Sequence, residues 1–520
     1  MKTVRAGARP AEAVLVVACL FAWLSVTAWI RPLMSPDEGR YVGVAFEMLR
    51  SGDWLVPRLD GLPFFHKPPL FYWISAAAMW TMGCAEWPAR LPSVIGATVA
   101  AGGLYLFLRR WADAAVAALA AVVLATMPFF FIAAQFANLD MLVAGCITAT
   151  LLLAADAALA KAKGGHWRAS LAGAFVFAGL GVLAKGLIGL VLPALIFLAW
   201  CVAIRRLRLA WLMAWPPGWA LLVSIVVPWF AAVAWRHPGF LDYFVVTQHF
   251  RRFASTGFNG EHPFWFYLPV VGLFTLPWIG WLATVRRPAS EARVPPSELD
   301  WLMGIWGVAI LVFFSLPRSK LIGYVLPALP PLAYLIAKAA MVVAQHGGRW
   351  RRALRWTSAL AAGACIAGLA WLAMQPGPVG HRLRLPPGEA VGASDQVIML
   401  GAYDYELPFY WRLARPVLVL ADWSPEAVLR HDDWRKELFE AGRFDPARSK
   451  ALLIDLTHVR DALCVPHATW LVGAAVAPTV LPWLAQARRV AVDGDSAVWR
   501  FAGGAASDRD CLQRFEAVAP

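Results

Sequence analysis

Apolar runs, each long enough to cross a lipid bilayer, recur along this chain from residue 12 to residue 374. About 20 apolar residues span the hydrocarbon core as a helix, and a helix satisfies its own backbone hydrogen bonds where water is absent. Hydrophobic residues make up 60% of the 520 residues, and a mean hydropathy of +0.58 excludes a water-soluble globular protein. The sequence therefore predicts a mostly α-helical, polytopic membrane protein.

The basic residues indicate how the chain is oriented. The net charge is +14, and the basic residues cluster in short turns between apolar runs, which is typical of cytoplasmic loops and gives no reason to expect a nucleic-acid partner. The first apolar run follows three basic residues, but no small-x-small cleavage site stands out after Ile30. We therefore expect a retained first helix with a cytoplasmic N-terminus. The basic clusters lie at 109–110, 161–168, 205–208, 286–287 and 349–355.

Eleven spans result when every basic cluster is placed in the cytoplasm. The stretch at 70–83 either adds a span or lies in the membrane interface. A span there would place Arg109 and Arg110 outside, so we favour an interfacial helix. The predicted spans are 12–30, 91–108, 113–133, 139–160, 170–185, 187–204, 209–235, 264–285, 300–317, 321–340 and 353–374.

Residues 377–520 have more charge and shorter apolar runs than the rest of the chain. The segments "QVIMLGAY" and "PVLVLAD" are typical of strands, and "SPEAVLRHDDWRKELFEAG" is typical of a helix. We predict a soluble α/β domain on the periplasmic side here, after a transmembrane domain at 1–376 whose first periplasmic loop is 31–90. Cys464 and Cys511 are the pair in this domain, and they form either a disulfide or two free thiols.

Under this topology, the unusual polar residues fall on the periplasmic side. An ionised group in hydrocarbon costs about 3 kcal/mol, so such residues usually face a cavity or a partner. This set mixes carboxylates with cations and imidazoles, which suits an anionic lipid-linked substrate. The set comprises Asp37, Glu38, Arg40, Arg58, His66, Lys67, Asn138, Asp140, Lys185, His249, Arg251, Arg318, Lys320 and Tyr324.

Most members of this set also have a structural interpretation. Asp140 is the hardest to explain in this way, because it begins a strongly apolar span. The alternatives are interfacial solvation for Asp37 and Glu38, snorkelling for Lys67, Arg318 and Lys320, lipid-phosphate contact for Arg251, and hydrogen-bonded structural histidines at His66 and His249.

The motifs resemble one known family. The segment "SPDEGRYVGVAFEMLRSGDWLVPRLDGLPFFHKPPLFYW" resembles the first external loop of the ArnT-type GT-C glycosyltransferases, which are related to the protein O-mannosyltransferases. The segments "NLDM", "LAKG", "DYFVVTQHFRRF", "HPFWFYLPV" and "FFSLPRSKLIGYVLP" follow in the family's order. The resemblance covers residues 1 to about 340. It implies a GT-C bundle of about eleven helices with a periplasmic α/β domain.

The resemblance implies roles for the polar set. Asp37 corresponds to the family's first-loop aspartate and Asp140 to a second functional aspartate, and we predict Glu38, beside Asp37, as a further catalytic carboxylate. His66 and His249 would hold a divalent metal such as zinc, although His66 replaces a glutamate of the family. The residues that would bind the substrate are Arg40, Arg58, Lys67, Lys185, Arg251, Arg318, Lys320 and Tyr324.

The expected function is an inner-membrane glycosyltransferase that moves a sugar, aminoarabinose or a similar one, from undecaprenyl phosphate. The acceptor would be lipid A or another envelope glycolipid. A lipid-linked donor needs no nucleotide-binding domain, and no glycine-rich phosphate loop is visible. The rivals are a protein O-mannosyltransferase-like enzyme, a lipid flippase or transporter, and a non-catalytic component of polymer export. A transport pathway should carry ionisable groups at mid-depth and on both faces.

Overall fold

The computed structural model describes residues 8–251, 260–286, 296–430 and 432–502. The described residues are mostly α-helical, as the sequence predicts. The α-helices are α1 Pro10–Ser25, α2 Asp37–Ser51, α3 Leu70–Met82, α4 Glu86–Ala89, α5 Leu91–Trp111, α6 Ala114–Ala125, α7 Pro128–Ala134, α8 Leu139–Ala162, α9 Arg168–Lys185, α10 Ile188–Ala203, α11 Pro216–Arg236, α12 Tyr267–Phe274, α13 Glu298–Ser315, α14 Leu329–Ala344, α15 Gly348–Ala373, α16 Val379–Arg382, α17 Leu407–Tyr410, α18 Pro425–Leu429, α19 Trp434–Gly442, α20 Pro446–Leu452, α21 Val459–Leu463 and α22 Ala477–Val480.

Irregular helices and short strands complete the described elements. The 3₁₀ helices are Leu207–Ala214, Trp278–Arg286, Ile322–Ala328 and Pro482–Gln486, and Asp242–Arg251 is a π-helix. The strands are β1 Arg58–Leu59, β2 Leu62–Pro63, β3 Gln396–Leu400, β4 Leu418–Leu420, β5 Leu453–Ile454, β6 Thr469–Ala474, β7 Arg488–Asp493 and β8 Ser496–Phe501.

Seven helical segments in the described part of the chain are long and apolar enough to cross a membrane. Two further pairs of shorter helices meet the same test together, but each pair is bent. The chain is therefore a multi-pass membrane protein. The seven segments are Leu91–Trp111, Leu139–Ala162, Arg168–Lys185, Pro216–Arg236, Glu298–Ser315, Ile322–Ala344 and Gly348–Ala373.

The two bent pairs lie where the sequence predicts straight spans at 113–133 and 264–285. Helices α6 and α7 meet at 66°, and α12 meets the following 3₁₀ helix at 101°. Pro128 begins α7, and Pro277 precedes the 3₁₀ helix. Proline has no N–H and disfavours a helical residue before it, so the helix ends and restarts in a new direction.

The chain consists of two compact units. Unit 1 comprises residues 1–30, 67–74 and 90–374, and unit 2 comprises 31–66, 75–89 and 375–520. Most of the first loop thus clusters with the C-terminal residues.

Glycines bring two helices of unit 1 into close contact. An added Cβ on Gly145 of α8 would overlap the backbone of Gly96 on α5, and an added Cβ on Gly96 would overlap the α8 backbone at Met141 and Leu142. Small residues permit such close helix packing in membranes. The contact holds α8 against α5, and most of the α8 side chains are buried.

Ion pairs link the helix ends of unit 1 on one face. The Arg109 Nε donates to Glu12 Oε1 at 2.9 Å, and Arg110 Nη1 lies 2.8 Å from both carboxylate oxygens of Asp156. Ser170 Oγ donates to the same Asp156 at 2.6 Å. The start of α1, the ends of α5 and α8 and the start of α9 therefore lie on one face of unit 1. This arrangement agrees with the alternating span directions that the basic clusters indicate.

Unit 2 contains a six-stranded sheet with the order β5-β4-β3-β6-β8-β7. Strands β5, β4, β3 and β6 pair in parallel, whereas β6-β8 and β8-β7 are antiparallel. Large side chains such as Ile398, Leu471 and Trp499 are buried in its core. The short helices α18 to α22 connect or follow these strands.

A hairpin of the first loop joins the C-terminal residues within unit 2. Strands β1 and β2 pair antiparallel around Asp60 and Gly61, both of which have positive φ. The Asp60 Oδ1 accepts a hydrogen bond from Val417 N at 2.8 Å. Burial raises the pKa of Asp60 to about 7, against the opposing effect of that hydrogen bond.

Helix α3 covers the stretch at 70–83 whose position the sequence leaves open. Its 13 residues rise about 20 Å as an α-helix, which is less than the roughly 30 Å of a hydrocarbon core. Trp80 on this helix is 75% exposed. This length favours an interfacial helix.

The cysteines in the spans are free. Cys146, Cys201 and Cys365 are buried, whereas Cys19 is exposed and Cys84 is half-buried. Cys464 is buried, but Cys511 lies outside the described residues. Cys464 is disulfide-bonded, and its pairing with Cys511 stays a prediction.

Candidate active site

Asp140 is a buried carboxylate at the start of α8. The helix is capped by Asn138, whose side-chain oxygen accepts a hydrogen bond from Asp140 N at 2.9 Å. Asparagine and aspartate favour such N-terminal positions because they satisfy free backbone N–H groups and carry charge suited to the helix dipole. The "NLD" sequence thus fixes where the carboxylate stands.

Lys185 pairs with this carboxylate from the end of α9. Its Nζ donates to Asp140 Oδ1, and both side chains are about nine-tenths buried. Gly186, with φ at 101°, follows at once and ends the helix. A cation in the last helical turn is stabilised by the helix dipole.

Tyr324 and Gly323 complete this cluster from the 3₁₀ helix Ile322–Ala328. The Lys185 Nζ lies 4.2 Å from the centroid of the Tyr324 ring, a cation–π distance. An added Cβ at Gly323 would overlap the Asp140 carboxylate, so the backbone here lies directly against it. The structure therefore brings together three of the predicted residues, Asp140, Lys185 and Tyr324.

Lys320 and Arg318 lie beside a separate cavity in unit 1. This cavity of about 460 Å³ is also lined by Glu261 and His262. The buried Lys320 Nζ donates to the carbonyl oxygens of His262, at 2.9 Å, and Pro317. Burial lowers the pKa of Lys320. These contacts fix the loop as well as presenting Lys320 to the cavity.

Glu38 forms a closed ion pair in unit 2. Its side chain is fully buried, and its Oε2 accepts hydrogen bonds from Arg31 Nη1 and from Met34 N, the latter at 2.9 Å. Arg31 is also buried and donates to Pro32 O at 3.1 Å. These contacts give Glu38 a structural environment, unlike the catalytic role that the sequence predicts.

Asp37 and Arg40 lie on the first turn of α2. The Arg40 Nη2 is 3.3 Å from Asp37 Oδ1, and its Nη1 is 2.9 Å from Glu437 Oε1. Tyr405 OH donates to Glu437 Oε2 at 2.6 Å, and the guanidinium lies 5.4 Å from the Tyr405 ring centroid. The Asp37 side chain is 37% exposed and the Arg40 side chain 17%. Asp37 is therefore the accessible member of this group.

A buried carboxyl lies against the same helix. Gly39 and Gly43 leave no room for a Cβ beside Glu406 and Tyr405. Burial, followed by the charge of Asp404, raises the pKa of Glu406 to about 8. Glu406 is consequently protonated at neutral pH.

The predicted metal site is only partly described. His66 Nε2 lies 3.6 Å from Glu440 Oε2, and its ring stacks on Phe64 at 4.3 Å between centroids. The side chains of His249 and Arg251 lie outside the described residues. The described part of the chain contains no group of three or more residues suited to hold a metal. The metal site stays a prediction.

Arg58 and Lys67 occupy different surroundings in the first loop. Arg58 donates from Nη1 to Gly61 O at 3.1 Å and from Nη2 to Asp53 Oδ2 at 3.3 Å, so it binds its own loop. Lys67 is half-buried three residues before α3. Substrate binding by either residue stays a prediction.

Sequence reasoning missed the C-terminal partners of the first loop. Glu437, Tyr405, Glu406 and Glu440 lie in the predicted α/β domain, where the sequence gives no signal that they face the first loop. It also missed Asp156, a carboxylate inside an apolar span. The argument that selected Asp140, that an ionisable group in an apolar span needs a partner or a cavity, applies to Asp156 as well.

Part of the chain matches a known protein family and its relatives. The family described as dolichyl-phosphate-mannose-protein mannosyltransferase matches residues 14–244. The undecaprenyl phosphate-alpha-4-amino-4-deoxy-L-arabinose arabinosyl transferase 2 of Sodalis glossinidius is 33% identical over 344 residues, which cover 66% of this chain and 61% of that protein. The corresponding transferase of Erwinia tasmaniensis is 34% identical over 324 residues, which cover 62% and 58%.

The fold is similar to that of a solved structure. ArnT from Cupriavidus metallidurans in the apo state has a TM-score of 0.71 at 25% identity, with 94% of this chain and 97% of that chain covered. The same protein bound to undecaprenyl phosphate has a TM-score of 0.73 at 24% identity, with 95% and 98% covered.

The chain's sequence matches span about three fifths of the length of these curated relatives. Together with the fold, they confirm the resemblance to the ArnT-type GT-C glycosyltransferases that the motifs indicate.

Proposed function

Because the chain resembles the ArnT-type GT-C glycosyltransferases, we propose that it transfers a sugar from undecaprenyl phosphate, or a similar polyprenyl phosphate, to a lipid A-like acceptor. The observation that carries this proposal is the buried Asp140–Lys185 ion pair, with Tyr324 beside it, at one end of a membrane-spanning helix. Ionisable groups placed there are usually functional. The sugar that the relatives' names specify is 4-amino-4-deoxy-L-arabinose.

The proposed topology has eleven spans with the N-terminus in the cytoplasm. The seven long segments, the two bent pairs and the shorter apolar helices α1 and α10 make up this number. The ion pairs of Arg109 and Arg110 support a common face for the cytoplasmic helix ends. The sheet-containing C-terminal residues would form a periplasmic α/β domain, and the protein would lie in the bacterial inner membrane.

The proposed reaction breaks the bond between the anomeric carbon and a phosphate oxygen. The electron pair of that bond stays with the phosphate, and an acceptor oxygen bonds to the anomeric carbon through an oxocarbenium-like transition state. Lys185 and Lys67 would stabilise the departing phosphate, since fixed cations act strongly in a water-poor site. Asp140 would orient Lys185, with which it is paired.

Asp37 would act on the acceptor. If the acceptor is a hydroxyl, its proton passes to the Asp37 carboxylate, which is the accessible carboxylate of the α2 group. A phosphate acceptor is already ionised and needs no base. In that case Asp37 would position neighbouring groups and offset cationic charge.

A protein O-mannosyltransferase-like activity is the second candidate function. The match of residues 14–244 to the dolichyl-phosphate-mannose-protein mannosyltransferase family favours it. The donor would again be a polyprenyl phosphate sugar, whereas the acceptor would be a protein hydroxyl. Glycolipid and glycoprotein products differ in mass, so one experiment separates the two.

Mass spectrometry of envelope lipids and glycoproteins, with and without the gene, tests the proposal. We expect the gene to add a sugar mass to a lipid A-like glycolipid, and Asp37→Ala and Asp140→Ala to abolish this addition while the protein remains folded. Glu426→Ala, on the exposed surface of α18, is the matched control and should retain it. Unchanged glycosylation in both aspartate variants would overturn the mechanism, and a modified protein instead of a lipid would favour the second candidate.

A further inference from the structure

Arg40 is held between two carboxylates that lie far apart in the sequence. One guanidinium nitrogen is 3.3 Å from Asp37 on the same helix, and another is 2.9 Å from Glu437 on α19. The second oxygen of Glu437 accepts the hydrogen bond from Tyr405 OH at 2.6 Å. Both oxygens of Glu437 are therefore engaged, which fixes the direction of its carboxylate.

We infer that Glu437 and Tyr405 are positioning residues, which hold the Arg40 guanidinium and through it the Asp37 carboxylate in the orientation needed for sugar transfer. The inference rests on the proposed function, in which Asp37 acts on the acceptor. It gives the C-terminal residues a role in the chemistry of the first loop. It also revises the predicted role of Arg40 from binding substrate to orienting Asp37.

The charges of the group explain why a positioning role fits better than phosphate binding. Arg40 carries one positive charge, whereas Asp37 and Glu437 together supply two negative charges next to it. An anionic phosphate approaching Arg40 would meet both carboxylates, and like charges at close range repel. The group as a whole is negative, so its cation is already balanced.

Tyr405 is suited to donate a hydrogen bond throughout the neutral range. Burial, followed by the negative charge of Glu437, raises the pKa of Tyr405 well above its usual value. The phenol consequently stays protonated and keeps its hydrogen bond to Glu437. Its ring also lies 5.4 Å from the Arg40 guanidinium, where a cation–π contact adds to the restraint.

Helix packing makes this restraint rigid. Gly39 and Gly43 on α2 press directly on Tyr405 and on the Glu406 side chain, with no space for a Cβ. The backbone of α2 is thus seated on the segment that carries Tyr405. Arg40 follows Gly39 on this helix, and its guanidinium contacts Glu437 and the Tyr405 ring.

Kinetics with the full-length protein in detergent test the inference. The probe is undecaprenyl phosphate-4-amino-4-deoxy-L-arabinose with lipid A as acceptor, and the release of undecaprenyl phosphate is measured. We expect Glu437→Gln to lower kcat about 10- to 100-fold with little change in the donor KM, because misplacement of a reacting group by about 1 Å can slow a reaction 100-fold. Tyr405→Phe, which keeps the ring packing, should lower kcat about 3- to 10-fold.

A double-mutant cycle distinguishes positioning through Arg40 from a general structural role. If Glu437 acts through Arg40, Glu437→Gln should have no further effect on kcat in an Arg40→Gln background. Glu426→Gln on the exposed part of α18 is the control and should retain the wild-type kcat. Elution profile and Tm show that each variant is folded.

Two outcomes would overturn the inference. One is a wild-type kcat in both Glu437→Gln and Tyr405→Phe, and the other is a fully additive loss in the double variant with Arg40→Gln. Asp37→Ala separates these from failure of the proposed function. If Asp37→Ala is inactive while the Glu437 and Tyr405 variants are normal, only the positioning role is wrong, whereas an active Asp37→Ala removes the proposed mechanism itself.

Discussion

The two ends of helix α8 each carry a buried aspartate, but their surroundings differ. At one end, Asp156 accepts hydrogen bonds from Arg110, Trp111 and Ser170, at 2.6 to 2.8 Å. At the other end, Lys185 is the side chain that hydrogen-bonds to the Asp140 carboxylate among the described residues. The first carboxylate is saturated by its neighbours, whereas the second has one cation and the backbone of Gly323 beside it.

This difference separates structural from functional carboxylates. A buried carboxylate whose oxygens are all engaged ties elements together and has little capacity left for a ligand. One that keeps an oxygen open can meet a substrate or a leaving group. In unit 2, the Glu38 side chain is fully buried against Arg31, whereas the Asp37 side chain is 37% exposed.

The largest expected effect comes from Asp140→Asn. Loss of this charge would leave Lys185 without its counter-ion and disturb the site of the departing phosphate. We expect kcat to fall about 100- to 1000-fold, the size found when one preorganised electrostatic contact is removed, with a near-normal folded yield. Donor turnover by the purified protein measures this, and wild-type turnover would place the reaction elsewhere.

Glu38→Gln should act on stability and leave the chemistry intact. Breaking a fully buried ion pair removes the carboxylate charge that faces Arg31 and costs about 3–5 kcal/mol of unfolding free energy. We expect a lower Tm and less folded protein, with donor turnover per folded molecule close to wild type. A stable variant with strongly reduced turnover would instead support the catalytic role predicted for Glu38.

Asp156→Asn should have a smaller effect of the same kind. Asparagine keeps part of the hydrogen bonding but loses the charge paired with Arg110, which is one-third exposed. We expect a loss of about 1–3 kcal/mol, typical of hydrogen bonds to charged groups, and normal kcat. Thermal unfolding and donor turnover, measured on one preparation, give both values. A loss of turnover matching that of Asp140→Asn would contradict the division between the two ends of α8.

Glu406→Gln should have the smallest effect, and a pH-dependent one. The folded pKa of Glu406, raised to about 8 chiefly by burial, exceeds the reference value of 4.5. Its contribution to stability is therefore fully present below pH 4.5 and is lost as the pH rises through 8. Burial also raises the pKa of Asp404 to about 6 and that of Asp60 to about 7. These two groups contribute the same pH dependence of stability to the wild type and to the Glu406→Gln variant.

The variant has no proton to lose at this position. We expect its Tm to match that of the wild type near pH 5 and to exceed it by a few degrees at pH 8. Thermal unfolding in detergent across this range is the measurement. A lower Tm than wild type at pH 8 would mean that the ionised carboxylate has a stabilising partner.

Much of the helical architecture follows from hydropathy and charge. Long spans such as α5, α8 and α9 begin and end close to the predicted limits, because apolar length and flanking cations are local properties. The bends at 66° and 101° were not predicted. Pro128 and Pro277 provided the signal, but hydropathy alone treats a broken span as a straight one.

The candidate site could be predicted only where local chemistry was unusual. Asp140 and Lys185 are ionised residues at the ends of apolar spans, so each stands out alone, and the structure pairs them. Glu437 is one of two acidic residues in a charged helix, and nothing local shows that it meets Arg40. Partners that the fold joins over a long sequence separation have no such local signal.

The contact between Gly96 and Gly145 determines where the Asp140 carboxylate lies in the candidate site. Gly145 follows Asp140 by five residues on α8, which is about 7.5 Å along the helix axis. Because the two backbones are in direct contact at this crossing, α8 has little room to shift relative to α5. An alanine at Gly145 would push α8 away from α5 and so displace the Asp140 carboxylate, although the added methyl group does not contact that carboxylate.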